Sequence, residues 1–139
     1  MLKLMFILCP AVIIFILTCT SSIENFIDTM NPSFIWMSEP DFSQFFNPLP
    51  DVITEDFMHQ KMGHALAFFI FTIALYTAFP SFYFYGILSF LYTWVTELLQ
   101  LFFMRDGRLF DVGIDSIGIG TAILIIGLCG RYSSTLKIE

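Results

Sequence analysis

Charge is scarce in this sequence, and positive charge is scarcest. Of 139 residues only 13% are Asp, Glu, Lys or Arg, roughly half the share of an average soluble domain. That deficit excludes a chain surrounded by water on all sides. Between Lys3 and Lys61 no basic residue occurs, while Glu24, Asp28, Glu39, Asp41, Asp51, Glu55 and Asp56 all fall there, and the formal net charge is −6. Such a balance excludes a nucleic-acid-binding surface. Cysteine is also rare. Cys9, Cys19 and Cys129 lie in apolar segments, and an odd number without metal-type spacing excludes a disulfide framework or a zinc site; they read as small apolar packing residues. There is no internal repeat, no low-complexity tract and no G-x-S-x-G nucleophile motif. Neither a metal nor a cofactor is expected.

What is abundant is apolar surface: 57% of residues are hydrophobic and 18% aromatic, with a mean hydropathy of +0.79. A spanning helix needs about 20 apolar residues, so the chain has room for four spans and one sizeable loop in a single domain, 1–139. The expected fold is an all-α membrane protein, a bundle of four transmembrane helices over residues 4–20, 62–79, 82–104 and 109–129. The first run resembles a signal peptide in layout, but Cys19-Thr20-Ser21 is a poor small-x-small cleavage site, which favours an uncleaved span. Residues 21–58 form a long acidic loop between helices 1 and 2. It carries four prolines together with Phe26, Phe34, Trp36, Phe42, Phe45, Phe46 and Phe57, rings suited to the membrane interface. The fourth run is rich in Gly, as close helix packing in membranes requires.

Spans joined by short turns alternate in direction, so the start of the second, the end of the third and the start of the fourth share one membrane face. Lys61 and His64, Glu97 and Gln100, Asp111 and Asp115 therefore converge on one side. Their spacings of three and four residues keep each pair on one helix face. A charged group in hydrocarbon costs about 2.5 to 3.5 kcal/mol, so these acids and bases are expected to pair inside the bundle. Lys61, Arg105 and Arg108 balance Glu97, Asp111 and Asp115 in number around His64. The candidate ligand-binding set is Lys61, His64, Glu97, Gln100, Arg105, Arg108, Asp111 and Asp115; Glu97, His64 and Asp115 are the candidates for acid–base chemistry. Ser89, Thr93 and Thr96 lack any sequence-visible base, and His59 is expected at the surface.

Taken together, Lys61-Met62-Gly63-His64, Glu97-Leu98-Leu99-Gln100, and Arg105 through Asp111, Asp115 and Gly118 resemble the K-x-x-H, E-x-x-Q and R…D-x-x-x-[ND]-x-x-G motifs of VanZ-like membrane proteins, in the same order. The resemblance covers residues 56–120. It departs at Phe103-Met104, where the family often has Pro-Gly, and at Asp115, where many members have Asn; Arg105 and Arg108 could thus exchange roles. The resemblance implies a bacterial protein linked to low-level glycopeptide (teicoplanin) resistance. The expected function is a membrane factor that engages a cell-envelope ligand, an anionic lipid headgroup or peptidoglycan precursor, beside its bilayer partner. A small intramembrane enzyme acting on such a headgroup, and a structural subunit of a membrane complex, are the alternatives. Lys3, Arg131 and Lys137 stand free near span ends, and by the positive-inside rule this favours cytoplasmic termini, with loop 21–58 and the polar cluster outside. Oligomeric state is left open.

Overall fold

The computed structural model describes the backbone of residues 2–135 and the side chains of 3–130. Five α-helices and one 3-10 turn make up the described chain: α1 Leu2–Cys19, α2 Ile23–Thr29, the 3-10 turn Phe42–Phe46, α3 Glu55–Ala78, α4 Phe82–Phe102 and α5 Leu109–Thr135. No strand occurs among the described residues. Helices α3 and α5 run the same way and pack most extensively on each other, with α4 antiparallel beside both and α1 against α3 and α4.

Two of the expected boundaries move. The second long helix starts at Glu55, about two turns before residue 62, because Thr54 caps it: its side chain accepts the Phe57 N–H at 3.2 Å. Glu55 and Asp56 in the first turn add favourable charge at the helix's positive end. The last helix runs past residue 129 to Thr135. Among the described residues, the windows Glu55–Ala78 and Leu109–Gly130 are long and apolar enough to cross a membrane, and Lys3–Cys19 is a shorter apolar helix. Helix α4 reaches 21 residues, but Thr93, Thr96, Glu97 and Gln100, all buried, lower its hydropathy because they serve the interior.

The outer surface is apolar along most of its length. Leu66, Ile70, Phe84, Leu91, Ile117 and Leu124 are among many large hydrophobic side chains that stay exposed, whereas Glu97, Asp115, Thr93 and Thr96 are fully buried. This inversion of the soluble pattern suits a surrounding of lipid, where outward apolar groups cost nothing and inward polar groups find each other. The apolar core itself is modest: Ile14, Phe68, Phe71, Leu75, Tyr85 and Ile119.

Close backbone approach sets the α3–α5 seam. A Cβ on Gly118 would overlap the Ala65 carbonyl oxygen, so the absence of a side chain there fixes how near the two helices lie. Tyr92 ties α4 to α1 by donating to the Ala11 carbonyl at 2.7 Å.

The segment between α1 and α3 is not plain loop. It is pinned at its start by the Ser21 N–H on the Ser33 carbonyl at 2.8 Å and further on by the Met37 N–H on the Phe102 carbonyl at 2.7 Å. Helix α2 is capped by Ser22 and closed by Met30 in the left-handed region at φ 53°. Asp41 caps the 3-10 turn; hydrogen bonds from the Ser43 hydroxyl and N–H hold its carboxyl below the usual carboxylate range. Phe34 and Trp36 pack on Phe102 and Phe103 at the end of α4, and Phe45 is buried against Leu101, Val112 and Trp94. The aromatic residues expected to seek the interface thus also fasten this segment over the end of the bundle that holds the ionisable groups.

Candidate functional site

The site begins with the α4–α5 turn. Helix α4 closes with the Phe103 N–H on the Leu99 carbonyl and the Arg105 N–H on the Gln100 carbonyl at 2.9 Å, while Met104 takes φ 54°. This is a Schellman-type stop, in which the left-handed residue is ordinarily Gly. The chain then turns back tightly: a Cβ on Gly107 would overlap the Glu97 carbonyl oxygen. Gly107 lets the following residue reach the carboxylate of Glu97, whose Oε2 accepts the Arg108 backbone N–H at 3.0 Å.

Around Glu97 the polar residues converge. Its Oε1 accepts from Gln100 Nε2 at 2.7 Å. From α3, Lys61 Nζ lies 2.7 Å from Asp111 Oδ1 on α5, with the ammonium over the Phe57 ring at 5.0 Å and the Phe110 ring at 5.4 Å. One turn deeper, His64 Nδ1 lies 3.6 Å from Asp115 Oδ1 and 4.0 Å from Glu97 Oε1. Asp115 Oδ2 accepts the Thr93 hydroxyl at 2.7 Å. At 1.5 Å per residue, His64 is roughly 14 Å inside α3, and Asp115 roughly 9 Å inside α5. The difference of roughly 4.5 Å, under one turn, means that α3 begins about three residues further out than α5 relative to the site.

Six of the eight expected residues meet: Lys61, His64, Glu97, Gln100, Asp111 and Asp115. The two arginines do not join them through their guanidinium groups. Arg108 contributes its backbone N–H, while its guanidinium lies 3.2 Å from exposed Asp106 and over Phe110. Arg105 Nη1 reaches the Ser21 carbonyl at 3.4 Å, and its buried Nε has no hydrogen-bond partner. The numerical balance of three acids and three bases is therefore not a balance inside the cluster, where Lys61 neutralises Asp111 and only His64 faces Glu97 and Asp115.

The arginines instead line a cavity of about 490 Å³ at the same end, bounded by Lys61, Gln60 and Phe57 on α3, Gln100 on α4, and Arg105, Asp106 and Arg108 in the α4–α5 turn. Three cations face one acid across it. Thr93, which the sequence leaves without a base, and Gly107 are the site residues that lie outside the expected set. Thr93 lies four residues before Glu97, hence on the same helix face, a signal that could have found it; Gly107, between Asp106 and Arg108, gave no signal beyond being a turn residue.

An all-helical chain with an apolar exterior and its ionisable residues gathered inside is a membrane protein. It belongs to the family of the uncharacterized membrane protein YwnJ of Bacillus subtilis (strain 168), with which it is 36% identical over 103 residues, covering 73% of this chain and 74% of that protein. No family model matches the chain. No solved structure matches it either.

Proposed function

We propose that the chain is a multi-pass, VanZ-like membrane protein that binds an anionic cell-envelope ligand, the phosphate-bearing headgroup of a lipid or peptidoglycan precursor, in the cavity between α3 and the α4–α5 turn. The observation that carries this reading is the lining: Lys61, Arg105 and Arg108 all border the cavity, and although Lys61 is paired with Asp111 and Arg108 with Asp106, the buried Arg105 Nε is left without a partner. Guanidinium groups bind phosphate oxygens through paired, charge-assisted hydrogen bonds, and a donor unused within the protein is free for such a ligand.

In this reading α1, α3, α4 and α5 each cross the bilayer, their 18, 24, 21 and 27 residues bracketing the usual requirement. The termini lie in the cytoplasm and the segment 21–54 roofs the cavity from outside. Lys3 supports this side for the N-terminus; Lys137 lies outside the described residues, and Arg131 is described in its backbone alone. The VanZ-like motifs gain support from Met104: its left-handed backbone is what a Gly serves, and Gly is what the family pattern often has there. A contribution to low-level glycopeptide resistance would follow from occupying or sequestering such a precursor.

The test is a titration of full-length protein in neutral-lipid nanodiscs with a polyprenyl diphosphate, with phosphatidylglycerol and inorganic pyrophosphate as the other arms. Saturable binding at one ligand per chain is expected. Arg105→Gln and Arg108→Gln are each expected to weaken it about 10- to 100-fold, the equivalent of roughly 1.5–3 kcal/mol for a hydrogen bond to a charged group. Affinity equal in wild type and both variants, or no saturable binding in any arm, would overturn the reading.

One observation favours a second reading, an intramembrane enzyme. Thr93, which has no base in the sequence pattern, has one in the fold: its hydroxyl donates to Asp115, with His64 on the far side of that carboxylate. Turnover of a radiolabelled envelope lipid that is lost in Thr93→Val, with ligand binding retained, would favour it over a binder.

A further inference from the structure

We propose that His64, Glu97 and Asp115 hold a divalent first-row metal ion, bound through His64 Nδ1, Glu97 Oε1 and Asp115 Oδ1 beneath the anion-binding cavity. The three atoms come from three helices and lie within 4.8 Å of one another. Two of them lack a hydrogen bond and meet chiefly each other, at 3.6 Å. Asp115 is 0% exposed, yet its Oδ1 has no hydrogen-bond partner, and His64 Nδ1, which faces it, has none either.

Charge makes the same case independently. Two buried carboxylates, Glu97 and Asp115, face one imidazole. The nearest cation, Lys61, is engaged by Asp111 at 2.7 Å, and the guanidinium groups of Arg105 and Arg108 are directed elsewhere. With both acids ionised, even a protonated His64 would leave one negative charge uncompensated among groups that lipid and protein screen poorly. A divalent ion with a neutral imidazole brings the sum to zero.

Geometry and ligand chemistry fit. Ligands spread around an ion at bond lengths of about 2.1 Å lie roughly 3.5 Å apart, and the measured separations from His64 Nδ1 are 3.6 and 4.0 Å. The two carboxylate oxygens lie within 4.8 Å of each other, so both acids would draw inward around the ion. One nitrogen and two carboxylate oxygens suit Mn²⁺, Fe²⁺ or Zn²⁺. The supporting contacts are those of a built site, because the second oxygen of each acid is fixed, Asp115 Oδ2 by Thr93 and Glu97 Oε2 by the Arg108 N–H, as ligand carboxylates usually are. Three protein ligands leave positions open on the ion. The site stands apart from the anion-binding reading, since metal binding requires neither Arg105 nor Arg108.

Mn²⁺ is the probe. Full-length protein, purified in detergent and stripped with chelator, is titrated with Mn²⁺ and followed by electron paramagnetic resonance. One ion per chain is expected, with ¹⁴N coupling from one coordinated imidazole. The protein has two histidines, His59 and His64, so that coupling is expected to persist in His59→Ala. Asp115→Asn and His64→Ala are expected to weaken binding by more than the about 10- to 100-fold that loss of a supporting residue costs. Where a variant does not fold, the wild type and His59→Ala still decide. The assignment is overturned if stripped wild type binds no stoichiometric Mn²⁺, if bound Mn²⁺ shows no imidazole nitrogen, or if His59→Ala abolishes it. Absence of Mn²⁺ binding would point to protons shared among the three groups instead, and the anion titration would be unaffected by that failure.

Discussion

Gly118→Ala is expected to cost about 3 kcal/mol or more and to remove most of the folded protein. The added Cβ would overlap the Ala65 carbonyl oxygen and crowd the Ala65 carbonyl carbon at 2.8 Å. These are backbone atoms in mid-helix, so no rotamer change relieves the clash, and α3 and α5 must move apart. Overpacking a well-fitted site costs 1–3 kcal/mol where side chains can yield, and here none can. In the same helix Gly113 and Gly120 have open space where a Cβ would stand. Alanine at either is expected to be neutral or slightly stabilising, because Gly is roughly 1 kcal/mol worse than Ala in a helix. Unfolding of purified variants in mixed micelles checks both. Equal stability for Gly118→Ala and Gly120→Ala would show that the seam is not set at Gly118.

Lys61→Met is expected to destabilise by about 3–5 kcal/mol, the usual result of breaking a buried ion pair from one side. Lys61 is 9% exposed and Asp111 1%, and the 2.7 Å contact is the charge partner Asp111 has within the cluster. Met keeps the length and the packing on Phe57 and Phe110 while leaving a carboxylate stranded. The double variant Lys61→Met, Asp111→Leu is expected to recover most of the loss, because an apolar pair replaces an ionic one at little net cost. The same micelle assay measures it. A double variant no more stable than Lys61→Met would mean that Asp111 is held by something other than Lys61.

Much of this arrangement was legible in the sequence. Convergence of Lys61, His64, Glu97, Gln100, Asp111 and Asp115 follows from two facts that need no coordinates: short connections force neighbouring helices to alternate, and charge in hydrocarbon must turn inward. What failed was the count of charges. Arg105 and Arg108 sit in a turn, and turn geometry, set here by the left-handed backbone of Met104 and the bare Cα of Gly107, is invisible to helical periodicity. The turn aims the Arg108 backbone N–H at Glu97 and both guanidinium groups away from it. The start of α3 was missed for a different reason. A search for apolar runs begins where the charge ends, whereas the helix begins at its cap, and Thr54 followed by Glu55 and Asp56 is a readable start signal. The long segment before it reads as loop because its prolines interrupt every pattern, yet its order comes from tertiary contacts of Phe34, Trp36 and Phe45 with residues far along the chain.

The ligand class rests on which side of the membrane the cavity opens, and cysteine labelling reads that directly. With Cys9, Cys19 and Cys129 replaced by Ala, single cysteines are placed at Ser38 and Ser81. Both positions are exposed. Ser38 lies in the segment that roofs the cavity, and Ser81 starts α4 at the opposite end without making a side-chain cap, so that replacing it disturbs no hydrogen bond. In intact cells the expected result is that Cys at Ser38 reacts with a membrane-impermeant maleimide and Cys at Ser81 reacts only after the cells are opened. The reverse pattern would put the cavity on the cytoplasmic side and contradict an envelope ligand held from outside.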